Sequence, residues 1–182
     1  MQEHELIVEV LASLQAMAEK LKAGATVPRQ DIADFGRFFR DFADKCHHGK
    51  EEDLLFPFME RKGVPRDHGP LGCMLAEHDE GRAFIRAMKQ NAEACARGER
   101  DARRRWAVAA QGYSTLLRKH IWKENEILFQ IAEKVLSSDE QAELAVRFKQ
   151  VQAKKLDTAT RDRLEQTKAK IERELAAAMD AS

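Results

Sequence analysis

Histidines and glutamates of the kinds that bind metal ions recur in this sequence at fixed spacing. The segment HHGKEEDLLFP, which begins at His47, aligns with HIWKENEILFQ, which begins at His120. Each copy has a lysine three residues after its first histidine, a glutamate four residues after it, and a Leu-Phe pair further on. Residues four apart lie on one face of a helix, so each copy presents an imidazole and a carboxylate about 6 Å apart along the axis.

A second, shorter repeat supplies one more histidine to each half of the chain. QEHE, which contains His4, aligns with AEHD, which contains His78, and the paired copies of the two repeats are 74 or 73 residues apart. Each half therefore reads as a single histidine followed by HxxxE. One such histidine alone would more often be a surface or core residue, but the joint repeat favours a metal site over that alternative.

The residues between these motifs predict helices that would hold them in place. Apolar residues recur at intervals of three and four, and the alternation typical of strands is absent. We predict helices at residues 2–23, 29–61, 72–97 and 101–136, joined by short turns and one loop. Short connections make successive helices antiparallel, so the predicted fold is all-α, an up-down-up-down four-helix bundle over residues 1–136.

In such a bundle the four histidines should meet at one level. The midpoint between His4 and His47 falls in the first turn, and the midpoint between His78 and His120 falls in the last. The midpoint between His47 and His78 falls at the start of the long loop. Residues equally far from a turn lie at the same height in an antiparallel pair, so each helix brings one histidine to the same layer.

Imidazoles and carboxylates in this arrangement are suited to two metal ions. Imidazole binds iron, zinc, copper or nickel, and a carboxylate can bridge two ions. We predict a dinuclear centre in which Glu51 and Glu124 are the bridges, with two iron ions preferred and manganese or zinc as alternatives. Six ligands cannot saturate two six-coordinate ions, which implies positions for water, an oxo or hydroxo bridge, or a diatomic molecule. The predicted metal ligands are His4, His47, Glu51, His78, His120 and Glu124.

These blocks, with MLAEHDEGR around His78, resemble the hemerythrin-like, HHE cation-binding family over residues 1–136. The resemblance implies a four-helix bundle with a non-haem di-iron centre that binds oxygen, nitric oxide or peroxide-type ligands. Oxygen-carrying members have a fifth histidine four residues from the third-helix ligand, whereas Met74 and Arg82 occupy those positions here. They also have an aspartate where this chain has Glu124. Tyr113 is the predicted extra ligand or supporting residue, and a core tyrosine is the alternative.

His48 and Glu52 repeat the HxxxE spacing one position later, but they lack counterparts in the second half. Ile121 and Asn125 stand at the matching positions. We therefore predict that His48 and Glu52 are solvated or support the ligands, and that they do not bind metal themselves.

Several other polar residues receive simpler predictions. His68 lies in the long loop and should be exposed to solvent. Cys46 and Cys73 should be small core residues. Lys50 and Lys123, which recur in the repeat, should pair with nearby acids.

The segment 137–182 differs in composition and is predicted to be a helical extension. Ser138 and Gln141 have the spacing of a capping box, which marks a helix start. Two apolar stripes follow, Leu144, Phe148 and Val151, and then Leu164, Ile171, Leu175 and Met179. These amphipathic helices should pack on the bundle or form a homodimer interface.

Composition excludes some classes of function. Basic and acidic residues balance at 31 each, so no net charge attracts nucleic acid or an anionic membrane. No apolar stretch has membrane-spanning length. Three cysteines without a CxxC motif predict a reducing cytoplasm.

The leading hypothesis is a protein that binds or senses oxygen, nitric oxide or reactive oxygen species. The alternatives are a catalase- or peroxidase-like scavenging enzyme, an iron-binding or storage protein, and an interaction module with a structural metal.

Overall fold

Helices make up nearly all of the described chain. The computed structural model describes residues 2–155 and the separate positions 169 and 173, and these residues include no strand. The predicted all-α, up-down-up-down bundle is confirmed. Its four long helices are α1 (Gln2–Lys22), α2 (residues 29–61), α3 (Gly69–Ala96) and α4 (residues 100–135), and a fifth, α5 (Ser138–Lys155), follows.

Three of the helices end in the same way. Gly24, Gly63 and Gly98 follow α1, α2 and α3 with φ angles of 93°, 88° and 84°. At each end the amide of the residue after the glycine donates to a carbonyl five residues earlier in the chain, as Ala25 does to Lys20 at 3.0 Å. This Schellman arrangement requires a left-handed residue, which glycine adopts without steric cost. The glycines therefore fix the turns that make successive helices antiparallel.

Helices α2 and α4 contain π-helical stretches in which the backbone turn is wider. In α2 these are Phe38–His48 and Glu51–Leu55, and in α4 the stretch is Glu124–Leu128. Glu51 and Glu124, the glutamates of the two HxxxE motifs, each begin one of the matching five-residue stretches. π-helical turns are rare and frequently occur at functional sites. The sequence repeat is thus also a repeat of backbone geometry.

The core consists of two apolar clusters with a polar layer between them. The larger cluster lies between α1, α2, α3 and α4 and includes Ile7, Leu14, Phe39, Trp106 and Leu117. The smaller one lies toward the opposite end and includes Leu55, Phe56, Met59, Leu71 and Leu128. On α2 the HxxxE motif falls between the residues of the two clusters, and on α4 it does so apart from Ile121, which belongs to the larger cluster. The bundle therefore surrounds this layer with apolar side chains above and below.

Helix α5 packs at the end of the bundle that α1 does not reach. Leu144 is buried in the smaller cluster, and Phe148 and Val151 pack against it. The ammonium of Lys62 on α2 lies 2.9 Å from a carboxylate oxygen of Glu140 on α5. The second predicted stripe, Leu164 to Met179, lies outside the described residues.

Some local predictions need correction. The capping box at the start of α5 is formed by Ser137 and Glu140, not by Ser138 and Gln141. The Glu140 amide donates to Ser137 Oγ at 3.3 Å, and the Ser137 amide donates to Glu140 Oε2 at 2.8 Å. Cys46 is buried as predicted, but Cys73 is exposed. Helix α3 begins at Gly69, before the predicted position 72, because Pro70 is favourable in a first turn. No helix within residues 2–155 is long and apolar enough to cross a membrane.

Candidate metal centre

The structure brings the six predicted ligands together in the polar layer. All six are buried, and Glu124 has no exposed surface. The Nε2 atoms of His4 and His47 are 3.1 Å apart, and those of His78 and His120 are also 3.1 Å apart. One histidine pair therefore joins α1 to α2, and the other joins α3 to α4.

The carboxylate of Glu124 lies between the two histidine pairs. Its Oε2 is 3.0 Å from His4 Nε2 and 3.8 Å from His47 Nε2, while its Oε1 is 2.8 Å from His120 Nε2. Glu51 Oε2 lies 3.4 Å from His78 Nε2. Three overlapping sets of side chains have ligand atoms within 4.8 Å of one another, and two of them consist of the predicted ligands. They are His4, His47 and Glu124 in one set, and Glu51, His78, His120 and Glu124 in the other.

The other ring nitrogen of each histidine is bonded to an oxygen that can only accept. The Nδ1 partners are Asn125 for His4 at 2.9 Å, Glu3 for His47 at 3.0 Å, Glu52 for His78 at 2.7 Å, and Glu77 for His120 at 2.9 Å. Each Nδ1 must therefore carry the proton and donate it. In the neutral imidazole the Nε2 atoms then direct lone pairs into the centre, as in histidines that bind metal.

This arrangement fits a metal ion. Two Nε2 lone pairs that face each other at 3.1 Å repel unless a cation lies between them, and about 3 Å is the separation of neighbouring ligands on one ion with bonds of roughly 2.1 Å. The carboxylate oxygens of Glu51 and Glu124 are buried and accept no hydrogen bond from any residue that the structure describes. The 2.8 Å approach of Glu124 to His120 lacks hydrogen-bond geometry. Buried carboxylates without hydrogen bonds are costly, and a metal ion would satisfy them.

In the metal-free protein, protons take the place of the cation. Burial lowers the pKa of His47, but the carboxylates of Glu51, Glu124 and Glu3 outweigh burial and raise it to about 10. The pKa of His120 is raised to about 9, because Glu124 and Glu77 outweigh burial in the same way. Burial and repulsion from Glu124 raise the pKa of Glu51. Burial also acts to raise the pKa of Glu124, but the surrounding histidines hold it well below its usual range.

A comparison with protein families agrees with this geometry. The model of the hemerythrin HHE cation-binding domain matches residues 1–132. The chain belongs to the hemerythrin family. The expected resemblance is thereby confirmed, and the histidine–glutamate clusters of the bundle are those of a hemerythrin-like, metal-binding protein.

Two similar proteins carry the same descriptive name. The chain is 31% identical over 133 residues to the "Iron-sulfur cluster repair protein YtfE" of Yersinia pseudotuberculosis serotype IB (strain PB1/+) and to that of Yersinia pestis (strain Pestoides F). Each match covers 69% of this chain and 59% of the relative, so the chain spans about three-fifths of the length of these relatives. No solved structure gives a significant match.

The hemerythrin-like centre is supported by two Lys–Glu–His groupings that follow the sequence repeat. Lys50 pairs with Glu3, which accepts from His47, and this confirms the predicted pairing of that lysine with an acid. Lys123 likewise pairs with Glu77, the acceptor of His120. The supporting roles of Glu3 and Glu77 were not predicted. Their signal was the glutamate that precedes the single histidine in both copies of the short repeat.

Glu52 and His48 have different outcomes. Glu52 supports His78, in agreement with its predicted role. His48 is not solvated, because only 2% of its surface is exposed. Its ring stacks on His78 with centroids 3.9 Å apart. Burial lowers the pKa of His48 well below its ordinary value, which keeps the ring neutral. Of the two predicted alternatives for His48, the solvated one is wrong, and the supporting one agrees with its contact with His78. The ring lies inside because successive residues in the π-helical stretch lie closer together around the axis than in an α-helix.

Tyr113 and His68 complete the predicted set. Tyr113 is fully buried, with its ring edge against Phe39 at 4.8 Å between centroids. Its hydroxyl has no hydrogen-bond partner in the described part of the chain. Burial, together with the charge of Asp44, raises its pKa. A role for Tyr113 at the metal stays a prediction. The side chain of His68 is 72% exposed, as predicted.

Proposed function

We propose that this hemerythrin-like chain holds two iron ions in its central layer. His4 and His47 would bind one ion, His78 and His120 the other, and the carboxylates of Glu51 and Glu124 would bridge them. The observation that carries the proposal is the position of Glu124, whose two oxygens approach histidines of opposite pairs at 3.0 and 2.8 Å. A single ion would not require a carboxylate between two separate sets of ligand atoms.

Iron is the metal that this donor set and the relatives favour together. Imidazole and bridging carboxylate ligands suit iron, with manganese or zinc as the other candidates. Both named relatives act on iron–sulfur clusters according to their descriptions. When bound, iron would supply redox chemistry and positions for small ligands, because six protein ligands do not fill two six-coordinate ions.

The residues around the centre would prepare it to bind metal and a small ligand. Glu3, Asn125, Glu52 and Glu77 hold the Nδ1 protons, which keeps each Nε2 free to bind. The two apolar clusters limit the access of water from above and below. This environment favours a small neutral ligand such as oxygen, nitric oxide or peroxide over a large polar substrate.

We propose that this binding activity serves the repair of iron–sulfur clusters, the activity in the names of the Yersinia relatives. The match spans the hemerythrin-like bundle, so the proposal assigns to this chain the metal-dependent part of such an activity. A cytoplasmic location, the absence of nucleic-acid and membrane partners, and a homodimer through the C-terminal segment stay predictions from the sequence.

Metal analysis and optical spectroscopy test the proposal. Protein produced with iron should contain about two iron ions per chain, and its charge-transfer bands should change on addition of nitric oxide or azide. Glu124→Gln should lose most of the iron, whereas Glu126→Gln, at an exposed position of the same π-helical stretch, should keep it. Protein that takes up neither iron nor zinc, or a Glu124→Gln variant with the full iron content, would contradict the proposal.

Peroxide turnover separates binding from the scavenging alternative. A binding or sensing protein should show a stoichiometric change in its spectrum when peroxide or nitric oxide is added. Sustained consumption of peroxide by the iron-loaded wild type, absent in Glu124→Gln, would instead favour the catalase- or peroxidase-like enzyme.

A further inference from the structure

We infer that His48 is a fifth histidine ligand and binds the ion held by His78 and His120. The inference rests on the proposed two-iron centre and adds a residue to it. His48 is 2% exposed, and neither of its ring nitrogens finds a hydrogen-bond partner among the residues described. A buried imidazole normally has at least one partner, so its free nitrogens call for an explanation.

The ring of His48 lies next to two of the proposed ligands. His48 stacks on His78 with an angle of 13° between the planes, and its centroid is 5.4 Å from that of His120 with the planes nearly perpendicular. A ring nitrogen of His48 lies within 4.8 Å of ligand atoms of both residues. The lone pair of each imidazole nitrogen lies in its own ring plane, so the two stacked rings do not both point at one ion as they lie. His48 would bind after its ring turns about the Cβ–Cγ bond, and no hydrogen bond of its nitrogens opposes that turn.

The surroundings of His48 also resemble those of the four other histidines. Its Nδ1 lies 3.6 Å from Asp44 Oδ1, and a movement of less than 1 Å would make this a hydrogen bond. Arg82 binds Asp44 at 2.8 Å and also binds Glu52, the partner of His78, at 2.6 Å. One guanidinium therefore holds the carboxylates that face Nδ1 of both His48 and His78.

The second half of the bundle shows that packing does not require a histidine here. The matching position is Ile121, an apolar residue that is also buried. A polar ring in the place of an aliphatic side chain leaves unsatisfied nitrogens unless it has a polar role. With His48, one ion would have three imidazoles and the other two, so the two ions would be inequivalent.

Iron-loaded His48→Gln and His48→Ile test this inference, the second variant copying the residue of the matching position. The exposed His68→Gln is the control. In ⁵⁷Fe Mössbauer spectra, one of the two quadrupole doublets should change in both His48 variants while the other is retained. A chelator should remove one iron roughly 10-fold faster or more. The wild type and His68→Gln should be indistinguishable.

Spectra and chelation rates identical to wild type, at an unchanged content of about two irons, would overturn the inference and leave the proposed function intact. A wild type without iron would instead refute the proposed function. If neither His48 variant folds, the wild type loaded with zinc decides the matter through ¹⁵N NMR of its histidine rings. Five imidazoles with a metal-bound nitrogen support the inference, and four, with His48 as free as His68, overturn it.

Discussion

The two halves of the bundle, residues 2–61 and 69–135, use the same sequence repeat but support their histidines differently. In both halves a Lys–Glu pair holds the histidine of the HxxxE motif. The single histidines differ, because Nδ1 of His4 donates to the neutral amide of Asn125, whereas Nδ1 of His78 donates to the carboxylate of Glu52. That carboxylate is fixed in turn by Arg82.

This difference separates the residues of the repeat that a metal site would require from those that can vary. A carboxylate partner makes an imidazole a stronger ligand than an amide partner does. Position 48 adds to the contrast, since the first half has a histidine where the second half has Ile121. We therefore expect the ion between His78 and His120 to bind more tightly than the ion between His4 and His47.

The largest effect should come from the two carboxylates proposed as bridges, Glu51 and Glu124, which are not equivalent in the structure. Glu124 approaches histidines of both pairs, whereas the short contact of Glu51 is to His78 at 3.4 Å. Glu124→Gln should release both ions and weaken binding by more than about 100-fold, because each ion loses a direct ligand. Glu51→Gln should mainly weaken the binding of one ion. Calorimetric titration with iron(II) measures the affinity of both variants. Equal losses of affinity in the two variants would contradict the comparison.

An exchange of the supporting residues tests the difference between the halves directly. Glu52→Asn should weaken the ion at His78 and His120 by roughly 10-fold, as expected for loss of a carboxylate behind a ligand. Asn125→Glu should strengthen the binding of the ion at His4 and His47. The double variant should reverse the order in which the two ions are removed by a chelator. An unchanged order in the double variant would show that the supporting residues do not set the affinity.

The sequence predicted the fold and the meeting of the six residues because both depend on spacing. Gly24, Gly63 and Gly98 mark turns at the midpoints between successive histidines, so the common level follows from helix geometry. The inward position of His48 was not predictable, because nothing in the pattern distinguishes the π-helical stretch Phe38–His48 from an α-helix. Without that stretch, His48 would lie about 100° from His47 around the helix.

The supporting residues were visible only in part. Glu3 and Glu77 appear in the repeat, but their bonds to histidines on the neighbouring helices depend on side-chain directions that the spacing does not define. Glu52 and Asn125 occupy matching positions and have the same role with different chemistry. A sequence comparison of the halves registers this as a mismatch, although the structure uses both residues as acceptors.

A smaller effect is expected from the two lysines of the repeat. Lys50 is buried beside Glu3, and an ion pair of this kind is sensitive to loss of one partner. Lys123 is more exposed, with 25% of its side chain accessible, so solvent can compensate for its loss. Lys50→Met should lower the free energy of unfolding by about 1–3 kcal/mol. Lys123→Met should lower it by less than about 1 kcal/mol, as judged by urea denaturation of both metal-free variants. A larger loss for Lys123→Met would reverse this ranking of the two halves.

The most local effect concerns α5, which packs against α2 of the first half and begins with the cap formed by Ser137 and Glu140. Ser137→Ala removes the acceptor of the Glu140 amide and should cost about 1 kcal/mol. Ser138→Ala should cost much less, because the structure assigns the cap to Ser137. Since α5 contributes Leu144 to the smaller apolar cluster, next to the polar layer, fraying of its first turn should loosen that end of the first half. Amide hydrogen exchange in Ser137→Ala should therefore be faster at residues 54–59 of α2 and unchanged near Trp106. Equal effects of the two serine substitutions would contradict this placement of the cap.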